Sequence, residues 1–250
     1  MGDTTTAKTP WWPTPSGPAR VIVPIVASTV EDALAQARTV ATTNAELVEW
    51  RADYLNMTLP CPTLAVIAKG IHDLVAPRPL IFTWRTANEG GRATSDACYE
   101  TVTRCVIDER AADLVDVQVR HPAARSLIDA AKTAGLPVIG SWHAMDAAPK
   151  HDAIVAALTQ AEGAGASVAK VAILPADAAD VAALLAATAE RAASARIPLM
   201  TVAMGDLGRD SRIFGYIFGS QATFASVGGT SAPGQPTLEA LRTAWATLSS

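Results

Sequence analysis

A short β-branched or apolar run followed by a longer Ala-rich stretch of helical spacing recurs eight times between Arg20 and the C-terminus, and this recurrence predicts a (β/α)8 barrel. Two further observations agree. The chain has 250 residues, close to the about 250 that such a barrel takes. Its conspicuous polar residues fall where the apolar runs end, the place at which barrels of this kind carry reactive groups. A doubly wound open sheet is the rival architecture. It normally carries a Gly-rich phosphate turn after its first strand, where this chain reads Ala27-Ser28-Thr29.

Residues 1–18, rich in proline and carrying Trp11 and Trp12, are too proline-dense for a helix or a central strand and are expected to form a tail, with 19–250 as the barrel domain. The two tryptophans are free to pack on the body or on a partner chain. Val21–Val26 is the first expected strand, and the helix after it opens at Ser28 or Thr29 with Glu31 and Asp32 in its first turn, as capping and the helix dipole favour. Leu47–Arg51 is the second strand, Leu80–Arg85 the third and Leu114–Val119 the fourth. After a helix ending in Gly135, Pro137–His143 is the fifth. The run from Gly165 to Pro175 holds the sixth, Ile197–Met204 the seventh and Ala222–Val227 the eighth, and Leu238–Leu248 closes the chain as a helix.

Bulk properties narrow the function. A net charge of −4 with no basic block makes a poor nucleic-acid binder. No uninterrupted apolar run approaches the roughly 18–20 residues of a spanning helix, and the Ala-rich stretch from Ala176 to Ala195 is broken by Asp177, Asp180, Glu190 and Arg191. Cys61, Cys98 and Cys105 are odd in number and lack metal-ligand spacing, so neither a disulfide framework nor a zinc site is expected, and a reducing cytoplasm is the simplest setting.

The sixth run sets the chemistry. Lys170 stands in the middle of Val168-Ala169-Lys170-Val171-Ala172-Ile173, and lysine is almost never buried unless something pairs with it or uses it. In an interior strand, loss of hydration favours the free amine, a nucleophile for carbonyl carbon. On an edge strand the same lysine would simply snorkel to water. Glu49, Arg51 and Asp53 close the second strand, and Arg85, Glu89, Gly90 and Gly91 follow the third. His143 ends the fifth, Arg212 follows the seventh, and Ser231 and Gln235 follow the eighth. Taken singly, each has a plain structural reading: a solvated strand face for Glu49 and Arg51, a surface ion pair for Arg85 and Glu89, a hydrogen-bonded structural histidine for His143. Converging on one mouth around a central lysine, they read as a site. Arg51, Arg85 and Arg212 add like charge that lowers the amine's pKa, and arginine's planar fork suits a carboxylate. His143 is suited to moving a proton on the carbon next to an iminium, and Glu89 to fixing its tautomer.

At this point the chain resembles the type I 3-dehydroquinate dehydratase family. The resemblance rests on Glu49-Trp50-Arg51-Ala52-Asp53, Phe82-Thr83-Trp84-Arg85 with Glu89-Gly90-Gly91, Ser141-Trp142-His143, Ala169-Lys170-Val171-Ala172, Met204 through Ser211-Arg212, and Ser231-Ala232-Pro233-Gly234-Gln235, in the family's order. It implies a (β/α)8 barrel, usually a homodimer, that converts 3-dehydroquinate to 3-dehydroshikimate by syn loss of water without metal or cofactor. By the same resemblance Lys170 matches the imine-forming lysine, His143 the general acid/base and Glu89 its supporting acid. Glu49, Arg51, Arg85, Arg212, Ser231 and Gln235 match the residues that hold substrate hydroxyls and carboxylate.

Two positions depart from the family's pattern. Pro24 stands where the first strand often carries a serine facing substrate, and Gln118 where the fourth usually has a second acidic residue. The first removes one expected substrate contact, and the second is expected to alter the charge near the imine. Two other readings use the same residues. A class I aldolase would also place a strand-borne lysine in a barrel, and a metabolite-binding barrel without turnover would bind the substrate and release it unchanged.

Overall fold

The computed structural model of the protein describes residues 11–55, 59–92, 96–228 and 232–248. Eight parallel strands alternate with helices: β1 (Arg20–Ile25), α1 (Val30–Ala41), β2 (Leu47–Arg51), α2 (Cys61–Val75), β3 (Leu80–Thr83), α3 (Asp96–Asp108), β4 (Leu114–Gln118) and α4 (Ala124–Ala134). The second half follows with β5 (Val138–Ala144), α5 (His151–Gly163), β6 (Val168–Ile173), α6 (Ala178–Ala192), β7 (Leu199–Ala203), α7 (Arg209–Phe214), β8 (Ala222–Phe224) and α8 (Leu238–Leu248). Sheet order is β7-β6-β5-β4-β3-β2-β1-β8, so each strand neighbours the next and β8 returns to pair with β1. Between β7 and β8 the ring closes by a single bridge, Leu199 to Ser220, with the Gln221 amide donating to the Leu199 carbonyl at 2.7 Å. This is the expected (β/α)8 barrel.

Local chemistry sets the element ends. The Thr29 hydroxyl accepts from the Asp32 amide and caps α1, and Asp177 does the same for Asp180 at α6. Gly135 ends α4 at φ +70, a backbone state that costs glycine little. Pro24 is tolerated inside β1 because the strand's alternation turns residue 24 toward β8, whose ladder already ends at Phe224 opposite Ile22. No helix among the described residues is long and apolar enough to cross a membrane.

Inward positions along the strands form layers. Ile22, Leu47, Ile81, Leu114, Ile139, Val168, Met200 and Ala222, one from each strand, make an apolar floor, and Trp12 packs against it from below. Trp12 is 7% exposed; the Arg20 guanidinium lies 4.8 Å over its ring and donates to the Pro13 carbonyl at 2.6 Å. The tail's second tryptophan thus covers the barrel's own base. Residues 1–10 of the expected tail lie outside the described residues.

One expectation fails. Cys61 and Cys105 form a disulfide, with Cα atoms 5.8 Å apart, and Cys98 is the cysteine left over. Helices α2 and α3 are neighbours around the barrel, so packing brings together two residues 44 apart in sequence, a proximity that spacing does not encode. The bridge also removes the cysteine argument for a reducing compartment.

Candidate active site

Two residues above the floor the inward positions turn polar: Glu49 on β2, Thr83 on β3, Asp116 on β4, Ser141 on β5 and Lys170 on β6 are all buried. Two residues higher come Arg51, Arg85, Gln118 and His143. A cleft of about 610 Å3, open solvent at its mouth included, is walled by Glu49, Arg51, Arg85, Glu89, His143, Lys170 and Arg212. Met145, Val202, Met204 and Phe224 supply its apolar wall. Seven of the nine expected site residues therefore meet at one mouth. Gln235 is half-buried after β8 and does not wall the cleft, and Ser231 lies outside the described residues.

Lys170 is 5% exposed. Its Nζ lies 3.5 Å from Asp116 Oδ2, 3.8 Å from Glu49 Oε1 and 4.7 Å from the centre of the Phe224 ring. Burial lowers its pKa, Arg85 and Arg51 push the same way, and Asp116 and Glu49 only partly offset them. Glu49 is held by the Thr83 hydroxyl, which donates to Oε1 at 2.9 Å. Asp116, which sequence reasoning did not select, is the hub of this layer. It accepts from Ser141 Oγ at 2.6 Å and from Arg85 Nη2 at 2.8 Å. Burial alone would raise its pKa, but Arg85, Lys170 and Ser141 together hold it below the ordinary carboxylate value. The signal was present in the sequence: a charge inside Leu114-Val115-Asp116-Val117, the same oddity that marks Lys170.

Glu89 reaches the site on the turn after β3. Thr86 begins a short 3-10 turn over Ala87–Glu89, and its carbonyl accepts from the Glu89 amide at 3.1 Å and the Gly91 amide at 2.9 Å. Gly91 is required there, since a Cβ would lie 2.1 Å from the Arg85 carbonyl oxygen. Glu89 Oε2 accepts from Arg85 Nη1 at 3.1 Å and from the His143 amide at 3.1 Å, and stands 2.9 Å from His143 Nδ1. An oxygen already accepting from those two donors takes a third from Nδ1–H, which leaves Nε2 as the basic nitrogen. Burial pushes the Glu89 pKa up to about 7 against the pull of Arg85. Burial, with Arg85, Lys170 and Arg51 adding, holds the His143 pKa well below its ordinary value. The site thus favours the neutral imidazole.

The three arginines differ. Arg51 is committed to Asp53, with Nε and Nη2 each 2.8 Å from a carboxylate oxygen. Arg85 is committed to Glu89, Asp116 and Ser141. Arg212 is 3% exposed and pairs with no carboxylate among the described residues. Its Nη2 donates to the Pro233 carbonyl at 3.3 Å, and burial lowers its pKa to about 10. The same carbonyl accepts from the Gly205 amide, and a Cβ at Gly234 would lie 2.0 Å from the Gly205 oxygen, so Pro233-Gly234 fits this corner as no larger pair would. A buried guanidinium that lacks a counter-ion and faces a cleft is built for an anion. Gln118, expected to alter the charge near the imine, does not touch Lys170; its amide is engaged with Thr86. Pro24 does not wall the cleft. Among the described residues no three His, Cys, Asp or Glu side chains come together to hold a metal ion.

Comparison with known proteins agrees with the fold. The family model of type I 3-dehydroquinase matches residues 21–250. The 3-dehydroquinate dehydratase of Enterococcus faecalis is 38% identical over 90% of this chain and 91% of its own, and that of Lactiplantibacillus plantarum 36% identical over 89% and 90%. The crystal structure of the Geobacillus kaustophilus 3-dehydroquinate dehydratase superposes with a TM-score of 0.88 at 31% identity, covering 92% of this chain and 91% of that one. A Clostridium difficile type I enzyme, solved with covalent modified comenic acid, superposes at 0.86 with 29% identity over 93% of each chain. With its barrel and nearly its whole length shared with these proteins, the chain belongs to the type I 3-dehydroquinase family of hydro-lyases.

Proposed function

We propose that the protein dehydrates 3-dehydroquinate to 3-dehydroshikimate through an imine on Lys170. One observation carries this reading: a desolvated amine and a buried arginine without a carboxylate partner among the described residues share a cleft, which asks for a ketone that also bears a carboxylate. The Lys170 amine adds to the ketone carbon and water leaves, giving an iminium that acidifies the neighbouring carbon. His143 Nε2 takes a proton from that carbon, the enamine expels the hydroxyl one carbon further on, and the histidine returns the proton to it as water leaves. Hydrolysis of the imine consumes one water and restores the amine, so the balance is the loss of one water from substrate. Arg212 holds the carboxylate, while Glu49 and Arg51 meet the hydroxyls. Arg85 acts on Glu89 and Asp116 and so on the two reacting side chains.

The test is borohydride reduction during turnover, read by intact mass and peptide mapping. A single reduced adduct on Lys170 is expected, and Lys170→Ala should lose it together with roughly 10^4-fold or more of the activity. Dehydrated product without any adduct would overturn the imine. An adduct with a phosphorylated ketone but none with 3-dehydroquinate would favour an aldolase. Binding of 3-dehydroquinate with neither adduct nor product would favour a metabolite-binding barrel.

A further inference from the structure

We infer that Gln118 is a positioning residue for the Glu89–His143 pair, acting through Thr86. The inference rests on the reading of His143 as the proton carrier. Gln118 is 3% exposed at the upper end of β4 and does not wall the cleft. Both ends of its amide grip one residue: Oε1 accepts from the Thr86 backbone N–H at 2.9 Å, and Nε2 donates to Thr86 Oγ1 at 2.8 Å. The N–H of Thr86 can only donate, so the amide orientation is fixed by chemistry. Thr86 occupies the N-cap of the turn that carries Glu89, yet its hydroxyl makes no cap bond; it is given to Gln118 instead. The Thr86 carbonyl in turn accepts from the Glu89 and Gly91 amides, so both ends of the turn hang from the residue Gln118 holds. Tyr99 holds Gln118 itself: its hydroxyl, on a fully buried side chain, accepts from the Gln118 backbone N–H at 2.8 Å. The path is Tyr99, Gln118, Thr86, Glu89, His143 Nδ1, and every link in it is a hydrogen bond or one turn of backbone.

An uncharged residue at this place has a consequence. The Glu89–His143 pair is already faced by Arg85 after β3, Asp116 on β4, Lys170 on β6, Arg51 on β2 and Arg120 beyond β4. A carboxylate at position 118 would keep the geometry, accepting from both the amide and the hydroxyl of Thr86, while adding a negative charge beside Glu89. Geometry and charge are therefore separable by two substitutions.

The experiment compares wild type, Gln118→Leu and Gln118→Glu by steady-state kinetics across pH and by 15N NMR of the His143 ring without substrate. In Gln118→Leu, kcat should fall roughly 10- to 100-fold with KM within about twofold, since misplacement of a reacting group costs rate more than binding. The His143 Nδ1–H signal should broaden or move toward the exchanging tautomer mixture. Gln118→Glu should restore kcat to within about threefold and move the acid limb of the pH profile upward, because added negative charge favours the protonated pair. Wild-type kcat and an unchanged His143 signal in Gln118→Leu would overturn the inference. So would a parallel loss of kcat, KM and thermal stability that Gln118→Glu does not rescue, which marks a merely structural role. If wild type itself neither traps an imine nor dehydrates 3-dehydroquinate, the functional reading fails, and the His143 signal still decides whether Gln118 positions the pair.

Discussion

The floor of the barrel and the layer above it are built from the same strands, two residues apart, and are held by opposite kinds of force. Ile139, Ser141 and His143 are successive inward residues of β5; the first is hydrocarbon against hydrocarbon, the second a hydrogen-bond bridge, the third a titrating ring. Floor residues are stable wherever the neighbour is apolar and of fitting volume, each worth about 1.5–3 kcal/mol on burial. The charged layer holds only as a set. Asp116 compensates Arg85 and Lys170, and removal of one member leaves the others buried with part of their compensation gone. The floor tolerates change by degrees, while the layer above it fails abruptly.

The largest expected effect tests that contrast directly. Arg85→Leu leaves Glu89 and Asp116 buried without their shared cation and should destabilise the fold by about 4 kcal/mol in urea unfolding. The contrast breaks if this variant is as stable as a conservative floor variant.

A smaller effect concerns pH. The Glu89 carboxyl rises from 4.5 to about 7 on folding, so between those values the folded protein keeps a proton that the unfolded chain has lost. Stability from this group is therefore fully present below about pH 4.5 and is lost as pH rises toward 7. Relative to Glu89→Gln, which cannot titrate, wild type should lose about 3 kcal/mol across that window. The lowered pKa of His143 works the other way, adding stability as pH rises toward 6.5. Parallel stability curves for the two proteins would show that Glu89 does not hold the extra proton.

Smallest is the floor itself. Ile139→Val should cost about 1 kcal/mol by the same unfolding assay and leave kcat/KM within twofold. A tenfold loss of kcat/KM there would mean that the two layers are mechanically one.

Much of this division was legible in the sequence. The eight runs and their lengths gave the barrel, and a lysine inside Val168–Ile173 pointed to the cleft, because periodicity and charge placement are local signals. Asp116 was equally marked but needed partners to acquire a meaning: its role lies in contacts with Arg85, Ser141 and Lys170, which come from three other strands. The Cys61–Cys105 bridge was misjudged for the same reason, as helix packing alone makes those residues neighbours. Arg51, Arg85 and Arg212 read alike in the sequence, and only the distribution of carboxylates around them separates the committed pair from the one that faces the cleft with no carboxylate partner among the described residues.

The seam of the barrel orders its assembly in time. Its last strand pairs residues 222–224 with residues 20–22, about 200 positions earlier, so this ladder waits for nearly the whole chain to leave the ribosome. Glu89, Asp116, His143 and Lys170 belong to β3 through β6 and the turn after β3, and all have emerged by then. Phe224, which faces the amine, and Pro233, which receives Arg212, arrive last. The residues of the acid–base half are thus synthesised before those that complete the anion-holding half, and the cleft is walled only once the final strand is in place.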